Sequence, residues 1–267
     1  MDIDTRQQSE LKQHCFIFQG DSLLLRDGAG VLLPSVASAE EIGLAPECTY
    51  EIGSNVGLRG VTNRVAAGVE APAGYSWARL RSLFGAVDEE LFRAAGQAFQ
   101  VAEWDRTTRH CGVCGALTEH RQNERVAVCP VCGFEQYPRV SPAMICAVVK
   151  EDRLLLAQNA RYRGGHYSVV AGFVEAGETL EECVAREVME ETGLVVDDIR
   201  YFASQPWPFP HSLMVAFTAR WKSGDIHIDP VEIADAGWYR ADEIGDWIPG
   251  KPTVARKLID WFVENHS

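Results

Sequence analysis

Apolar and polar positions along the chain fall into three stretches. In the first, FIFQG (16–20) and DSLLL (21–25) read as strands joined by a turn, and VLLPS (31–35) as a further strand. SWARLRSLFGAVDEELFRAAGQAFQVAEWDR (76–106) carries helical periodicity and predicts one or two amphipathic helices. The second stretch is short and turn-rich, and leaves through the extended YPRVSP (137–142). The third is strand-dense. AMICAVVK (143–150) and RLLLAQNA (153–160) read as a hairpin turning at Glu151-Asp152, and RYRGGHYSVVAGFVEAGE (161–178) as a loop and strand. A helix begins near Leu180, strands follow in IRYFASQPWPF (199–209), SLMVAFTARWK (212–222) and AGWYR (236–240), and TVARKLIDWFVENHS (253–267) closes as an amphipathic helix. Helices beside a mixed sheet predict an α+β sandwich. There is no internal repeat or low-complexity stretch.

The helix near Leu180 departs from an ordinary amphipathic pattern. Thr179 can cap its N-terminus, Glu182 completes a capping box, and Gly193 suits a left-handed stop. At about 100° per residue, Leu180, Val184, Glu187 and Glu191 fall within roughly a 40° stripe, with Glu190 on the flank beside Arg186. The apolar stripe therefore turns into carboxylates halfway along. A merely solvated charged face would sit opposite Leu180 and Val184. Clustered carboxylates in a partly enclosed place repel one another unless neutralised, and hard divalent cations such as Mg²⁺ or Mn²⁺ do so. Arg186 can reach back to Glu178 and pin the loop to the helix.

Four of the eight cysteines form two C-x2-C knuckles, Cys111/Cys114 and Cys129/Cys132, with fourteen residues between the pairs. Gly115 and Gly133 follow each pair and supply tight turns, and ALTEHRQNERVAV (116–128) reads as a short hairpin. This is tetrahedral thiolate spacing for a closed, structural Zn²⁺ site. Two disulfides would need an oxidising compartment, and redox C-x-x-C chemistry a βαβ context. Cys15, Cys48, Cys146 and Cys183 are isolated and read as buried thiols.

Composition constrains partners. The chain has 267 residues and a formal net charge of −13, which argues against broad attraction to nucleic acid or anionic membrane. Arg106, Arg109, Arg121, Arg125 and Arg139 form a local exception, either a solvated surface with ion pairs or a phosphate-contacting patch. The polar start MDIDTRQQSELKQH has no basic-then-apolar leader pattern, and no apolar run approaches the roughly 20 residues of a membrane span. The expected location is the cytoplasm.

Ser204-Gln205-Pro206-Trp207-Pro208-Phe209-Pro210, followed by His211 and Ser212, interleaves three prolines with two aromatics. Such a segment is no central strand. It reads as a rigid loop presenting ring faces for stacking a planar base, the alternative being a proline-stiffened plug beneath a sheet.

Gly172, Glu178, Arg186, Glu187, Glu190, Glu191 and Gly193 stand at the spacing G-x5-E-x7-R-E-x-x-E-E-x-G, which resembles the Nudix box of hydrolases that cleave nucleoside diphosphates linked to another moiety. The order of zinc knuckles, YPR at Tyr137, box and SQPWPFPxS resembles the NADH pyrophosphatase family (NudC type) over roughly residues 75–262. The resemblance implies a Nudix α/β/α sandwich with a mixed sheet at 139–267, a zinc ribbon at 106–138 and an N-terminal α+β domain at 1–105. It implies hydrolysis of NAD(H) to nicotinamide mononucleotide and AMP, removal of an NAD cap from RNA 5′ ends, and a homodimer. By the same resemblance Glu187, Glu190 and Glu191 are catalytic. With Glu232 and the main-chain carbonyl of Ala171 they would hold Mg²⁺ or Mn²⁺, and Glu190 or Glu191 would act as general base. Arg81, Glu124, Tyr137, Phe173, Gln205, Trp207 and Ala255 match dinucleotide-contacting positions, as does the whole run from Ser204 to Pro210. His166 and His211 are given no such role. Two rivals remain: a Nudix hydrolase of another substrate, such as ADP-ribose or a dinucleoside polyphosphate, and a ribbon-bearing nucleotide or RNA sensor that has lost its chemistry. The SQPWPFP segment discriminates the first. The second should lack a box glutamate, and none is missing.

Overall fold

The computed structural model describes residues 14–53, 58–121, 124–161 and 165–266. The polar N-terminal stretch, the tip of the hairpin between the knuckles and part of the loop opening with Arg161 lie outside them. The chain divides into two compact units, Met1–Arg139 with Pro208–Pro210, and Val140–Trp207 with His211–Ser267.

In the first unit, β1 (His14–Gln19), β2 (Ser22–Arg26), β3 (Pro46–Ile52), β4 (Gly60–Val65) and β5 (Tyr75–Arg79) form a sheet in the order β3-β4-β1-β2-β5. The β1–β4 pair is parallel and the rest antiparallel. Alternation along β1 serves both faces. Phe16 and Phe18 join Phe92, Phe99 and Trp104 of α1 (Glu89–Thr107), while Cys15 and Ile17 join Leu24, Leu44 and Val61 on the other side. Two expectations change here. SWAR is the strand β5, because hydrogen bonding to β2 outweighs its helical periodicity, and the helix starts only at Glu89, capped by Asp88. VLLPS contributes one isolated bridge, Leu32 to Arg26, and no strand.

β6 (Glu119–His120), β7 (Ala127–Val128) and β8 (Glu135–Gln136) form the small sheet of the knuckle region, one strand more than the expected hairpin. A polar network, buried at Arg64 and Asp105 and open at His120, ties it to the larger sheet. Asp105 of α1 accepts from Arg64 Nη2 at 2.7 Å and from the Tyr50 hydroxyl at 2.7 Å, and that hydroxyl also meets His120 Nδ1 at 2.7 Å. Arg64 pairs with Glu47 as well.

In the second unit, β9 (Ser141–Lys150), β10 (Arg153–Asn159), β11 (Val170–Phe173), β12 (Val195–Trp207), β13 (Ser212–Ser223) and β14 (Ile233–Arg240) form one mixed sheet. The order is β12-β13-β9-β10-β14, with β11 also on β9, and β13–β9 is the parallel pair. The continuous apolar run of β9 follows from burial on both faces. Met144, Cys146 and Val148 pack toward α2 (Leu180–Thr192), and Ile145 and Ala147 toward α3 (Val254–His266). The result is the expected α/β/α sandwich. The strand and loop readings of SQPWPFP divide it between them: Ser204 to Trp207 complete the edge strand β12, as the strand reading of 199–209 expects and where a proline is tolerated, with Pro206 opposite Leu213. Only the residues after Trp207 form the turn. Among the described residues no helix is long and apolar enough to cross a membrane.

Candidate active site

α2 is built as its sequence predicts. Thr179 and Glu182 form the capping box, with Glu182 N–H donating to Thr179 Oγ1 at 3.2 Å and Thr179 N–H to Glu182 Oε2 at 2.8 Å. Gly193 ends the helix at φ 73°. Val184 is fully buried, and in line with it Glu187 and Glu191 are only 9% and 6% exposed.

Arg186 holds the surrounding loop. Its Nε and Nη2 clasp the Glu178 carboxylate at 2.7 and 2.9 Å, Nη2 also donates to the Phe173 carbonyl at 3.0 Å, and Nη1 reaches Glu187 and Glu190 at 3.0 Å each. This pairing holds the Glu178 carboxyl at about 2, well below the usual range. Glu187 lies directly over Gly172 of β11, and a Cβ there would occupy the space of its carboxylate. The box glycine is thus needed for close approach rather than for an unusual φ.

Glu191 has no such relief, and for Glu187 the single contact with Arg186 does not offset its burial. Burial, ahead of the neighbouring Glu187, Glu232, Asp229 and Glu190 charges, pushes Glu191 up to about 8. Burial likewise raises Glu187, against the pull of Arg186. Carboxylates that are expensive to ionise together suit a hard divalent cation with oxygen ligands, although among the described residues only the four cysteine sulfurs already lie close enough together to form a ligand set. Glu232 comes from a turn just before β14 and lies 3.8 Å from Arg161.

Other candidates in this unit cluster around β11, β12 and α3. Ala171 precedes Gly172 in β11 opposite Ile145, and Phe173 is exposed beside it. Ser204 is exposed and meets the Tyr201 hydroxyl at 3.4 Å. Gln205 uses its side-chain amide internally, donating to the Pro252 carbonyl at 3.1 Å and accepting from Val254 N–H at 2.8 Å, and so secures the start of α3, where Ala255 is buried. Trp207 ends β12, partly buried.

The remaining candidates belong to the first unit. Pro208 is buried against Gly96 of α1, and Phe209 packs on Phe92 with the Arg81 guanidinium 4.5 Å from its ring centre. These two residues match the plug reading of the proline-rich segment, while Pro210 is exposed. Tyr137 and Glu124 are joined through Glu135 and through Arg121 of the arginine cluster, which here makes ion pairs: Arg121 meets Glu124 at 2.8 Å and Glu135 at 2.5 Å, and Tyr137 donates to Glu135 at 2.9 Å.

The cysteine sulfurs converge. Cys111, Cys114, Cys129 and Cys132 place theirs within 4.8 Å of one another, with Cys111–Cys132 at 3.6 Å and Cys114–Cys129 at 3.4 Å. Tetrahedral zinc with sulfurs at about 2.3 Å requires S–S separations of about 3.8 Å, so the cage fits. Backbone N–H groups aimed at Cys129, that of Cys132 foremost, bring its thiol down to about 6, which favours the thiolate a metal needs.

Comparison with known proteins agrees with this geometry. Residues 139–262 match the NUDIX domain, residues 106–137 the NADH pyrophosphatase zinc ribbon domain, and residues 12–104 the NADH pyrophosphatase-like rudimentary NUDIX domain. Fold and site define a Nudix hydrolase carrying a zinc ribbon. The NAD-capped RNA hydrolase NudC of Photobacterium profundum is 52% identical over 180 residues, which is 67% of either chain. That of Salmonella schwarzengrund is 50% identical over 173 residues, 65% of this chain and 67% of its own. A NUDIX hydrolase of Nitrosomonas europaea shares the fold with a TM-score of 0.52 at 24% identity, covering 60% of this chain and 93% of that one. The chain belongs to the NudC family of Nudix hydrolases. The first 75 residues, which resemble the family only loosely in sequence, fall largely within the rudimentary NUDIX match.

Asp229 and Arg161 were not singled out from sequence. The Asp-Pro pair in IDPVEI is a turn signal that could have pointed to Asp229.

Proposed function

We propose that the protein hydrolyses the pyrophosphate of NAD(H) to nicotinamide mononucleotide and AMP, and removes NAD caps from RNA 5′ ends. The observation that carries this reading is the complete set of box carboxylates, with Glu187 and Glu191 buried, in a chain about half identical to proteins named NAD-capped RNA hydrolase. Glu187, Glu190, Glu191 and Glu232, with the Ala171 carbonyl, would hold Mg²⁺ or Mn²⁺. When bound, the cation offsets charge on the pyrophosphate and makes water a better nucleophile. Glu190 or Glu191 takes the proton of the attacking water, which adds to one phosphorus while the bridging P–O bond breaks. Arg186 keeps Glu190 and Glu187 oriented and leaves Glu178 as its own counter-charge. Phe173 and Trp207 would offer faces for a planar ring.

Residues 1–105, 106–138 and 139–267 serve in this reading as N-terminal domain, zinc ribbon and hydrolase domain. A homodimer and a cytoplasmic location belong to it too, and light scattering and cell fractionation test them. The functional test is chromatographic product analysis with NADH, and separately with NAD-capped RNA, in Mg²⁺ and in Mn²⁺. Reduced nicotinamide mononucleotide with AMP, and 5′-monophosphate RNA, are expected. Intact substrates from folded, zinc-loaded protein would overturn the assignment.

A further inference from the structure

The last carbonyls of an α-helix have no partner within the helix and must find donors elsewhere. At the end of α2 one donor is local, Gly193 N–H to the Met189 carbonyl at 2.8 Å. Two more come from a segment over thirty residues downstream: His227 N–H reaches the Thr192 carbonyl at 2.8 Å, and Asp229 N–H the Glu191 carbonyl at 3.2 Å. The segment leading into β14 is therefore stitched to the backbone of Glu191 itself.

From that stitch the chain folds tightly around Asp229. Its Oδ1 accepts from Val231 N–H at 2.9 Å, and its carbonyl accepts from Glu232 N–H at 3.1 Å and Ile233 N–H at 2.8 Å. Pro230 suits this turn because its φ is already restricted. On the far side, the Glu232 carbonyl takes Ala160 N–H at 2.7 Å, where the β10–β14 register shifts between Gln158 and Asn159. Glu232 thus stands between two backbone anchors, one on α2 and one at Ala160, just past the end of β10.

We propose that Asp229 is a positioning residue for the divalent-metal site: its side-chain oxygen closes the 229–233 turn and so holds Glu232 at the box carboxylates. The inference rests on the reading above that Glu232 is a metal ligand. What the turn needs from residue 229 is an acceptor oxygen two residues before Val231, which asparagine supplies as well as aspartate. The charge of Asp229 is not required and works against Glu191.

The test is Mn²⁺ binding followed by electron paramagnetic resonance on zinc-loaded protein, with kcat and KM for NADH alongside, for wild type, Asp229→Asn, Asp229→Ala and Glu232→Gln. Asp229→Asn is expected to bind Mn²⁺ within about three-fold of wild type. Asp229→Ala should weaken it roughly 10- to 100-fold, the range seen when a ligand's supporting partner is removed, with kcat reduced more than KM is changed. Wild-type Mn²⁺ affinity in Asp229→Ala, or equal losses in the Asn and Ala variants, would overturn the positioning role. If Glu232→Gln itself leaves Mn²⁺ affinity unchanged, the ligand assignment of Glu232 fails, and the proposal with it. Unchanged far-UV dichroism and zinc content in Asp229→Ala separate loss of aim from loss of fold.

Discussion

Replacing Glu191 by glutamine should stabilise the metal-free protein while abolishing most turnover. The Glu191 carboxyl sits at about 8 in the fold against 4.5 for an ordinary glutamate, first because of burial and then because of its acidic neighbours. Between these two values the unfolded chain has released the proton and the folded chain has kept it. Stability therefore falls as pH rises from about 4.5 to about 8 and is lowest above that window. At pH 7 the penalty is on the order of 3 kcal/mol, since each pH unit above the unfolded value contributes about 1.4 kcal/mol. Glutamine has no charge to bury, so the Glu191→Gln fold should escape it. The assay is thermal unfolding of zinc-loaded protein dialysed free of Mg²⁺ and Mn²⁺, at pH 5, 7 and 9, following the transition of the unit that contains α2. Wild type and variant should melt close together at pH 5. By pH 7 the variant should lead by roughly 6–12 °C, taking 2–4 °C per kcal/mol for a chain of this size. Saturating Mn²⁺ should stabilise wild type and do far less for the variant. Calorimetry near pH 7 should also show wild type releasing a proton on binding Mn²⁺ and the variant not doing so. Parallel wild-type and variant melting curves across the three pH values would refute the argument that Glu191 is buried and unneutralised.

Gly172→Ala places a methyl group where the Glu187 carboxylate lies, so Mn²⁺ affinity should fall by about 10- to 100-fold with the fold intact; titration calorimetry checks this. Thr179→Ala removes the capping box of α2 and should lower stability by about 1 kcal/mol, read in denaturant titrations. Cys129→Ser, or stripping with a strong chelator, should release one equivalent of zinc and expose the region around 106–138 to protease. Mass-spectrometric zinc content together with limited proteolysis tests both.

The parts legible in the sequence are those whose physics is local. The capping box, the left-handed glycine stop and the stripe running from Leu180 to Glu191 lie within a few turns of one helix, so spacing alone specifies them. The two knuckles are equally local, because each pair of sulfurs is presented by its own tight turn and the tetrahedral cage follows from bringing two such turns together. The apolar strands of the third stretch were readable because both faces of that sheet are covered, which leaves long apolar runs.

What the sequence could not show depends on partners far along the chain. SWAR becomes a strand because β2 offers its hydrogen bonds. Phe209 packs on Phe92, and the Gln205 amide serves Pro252 and Val254, partners that only the packed fold supplies. Arg64 and Asp105, forty-one residues apart, find one another only once β4 and α1 are packed. The metal site divides along the same line. Sequence spacing by itself determined that α2 carries three carboxylates on and beside its core-facing stripe. Tertiary structure alone decided that the carbonyls at the end of α2 would be met by His227 and Asp229, which ties the turn carrying Glu232 to the end of α2, because a helix end must find its hydrogen-bond donors wherever the fold supplies them.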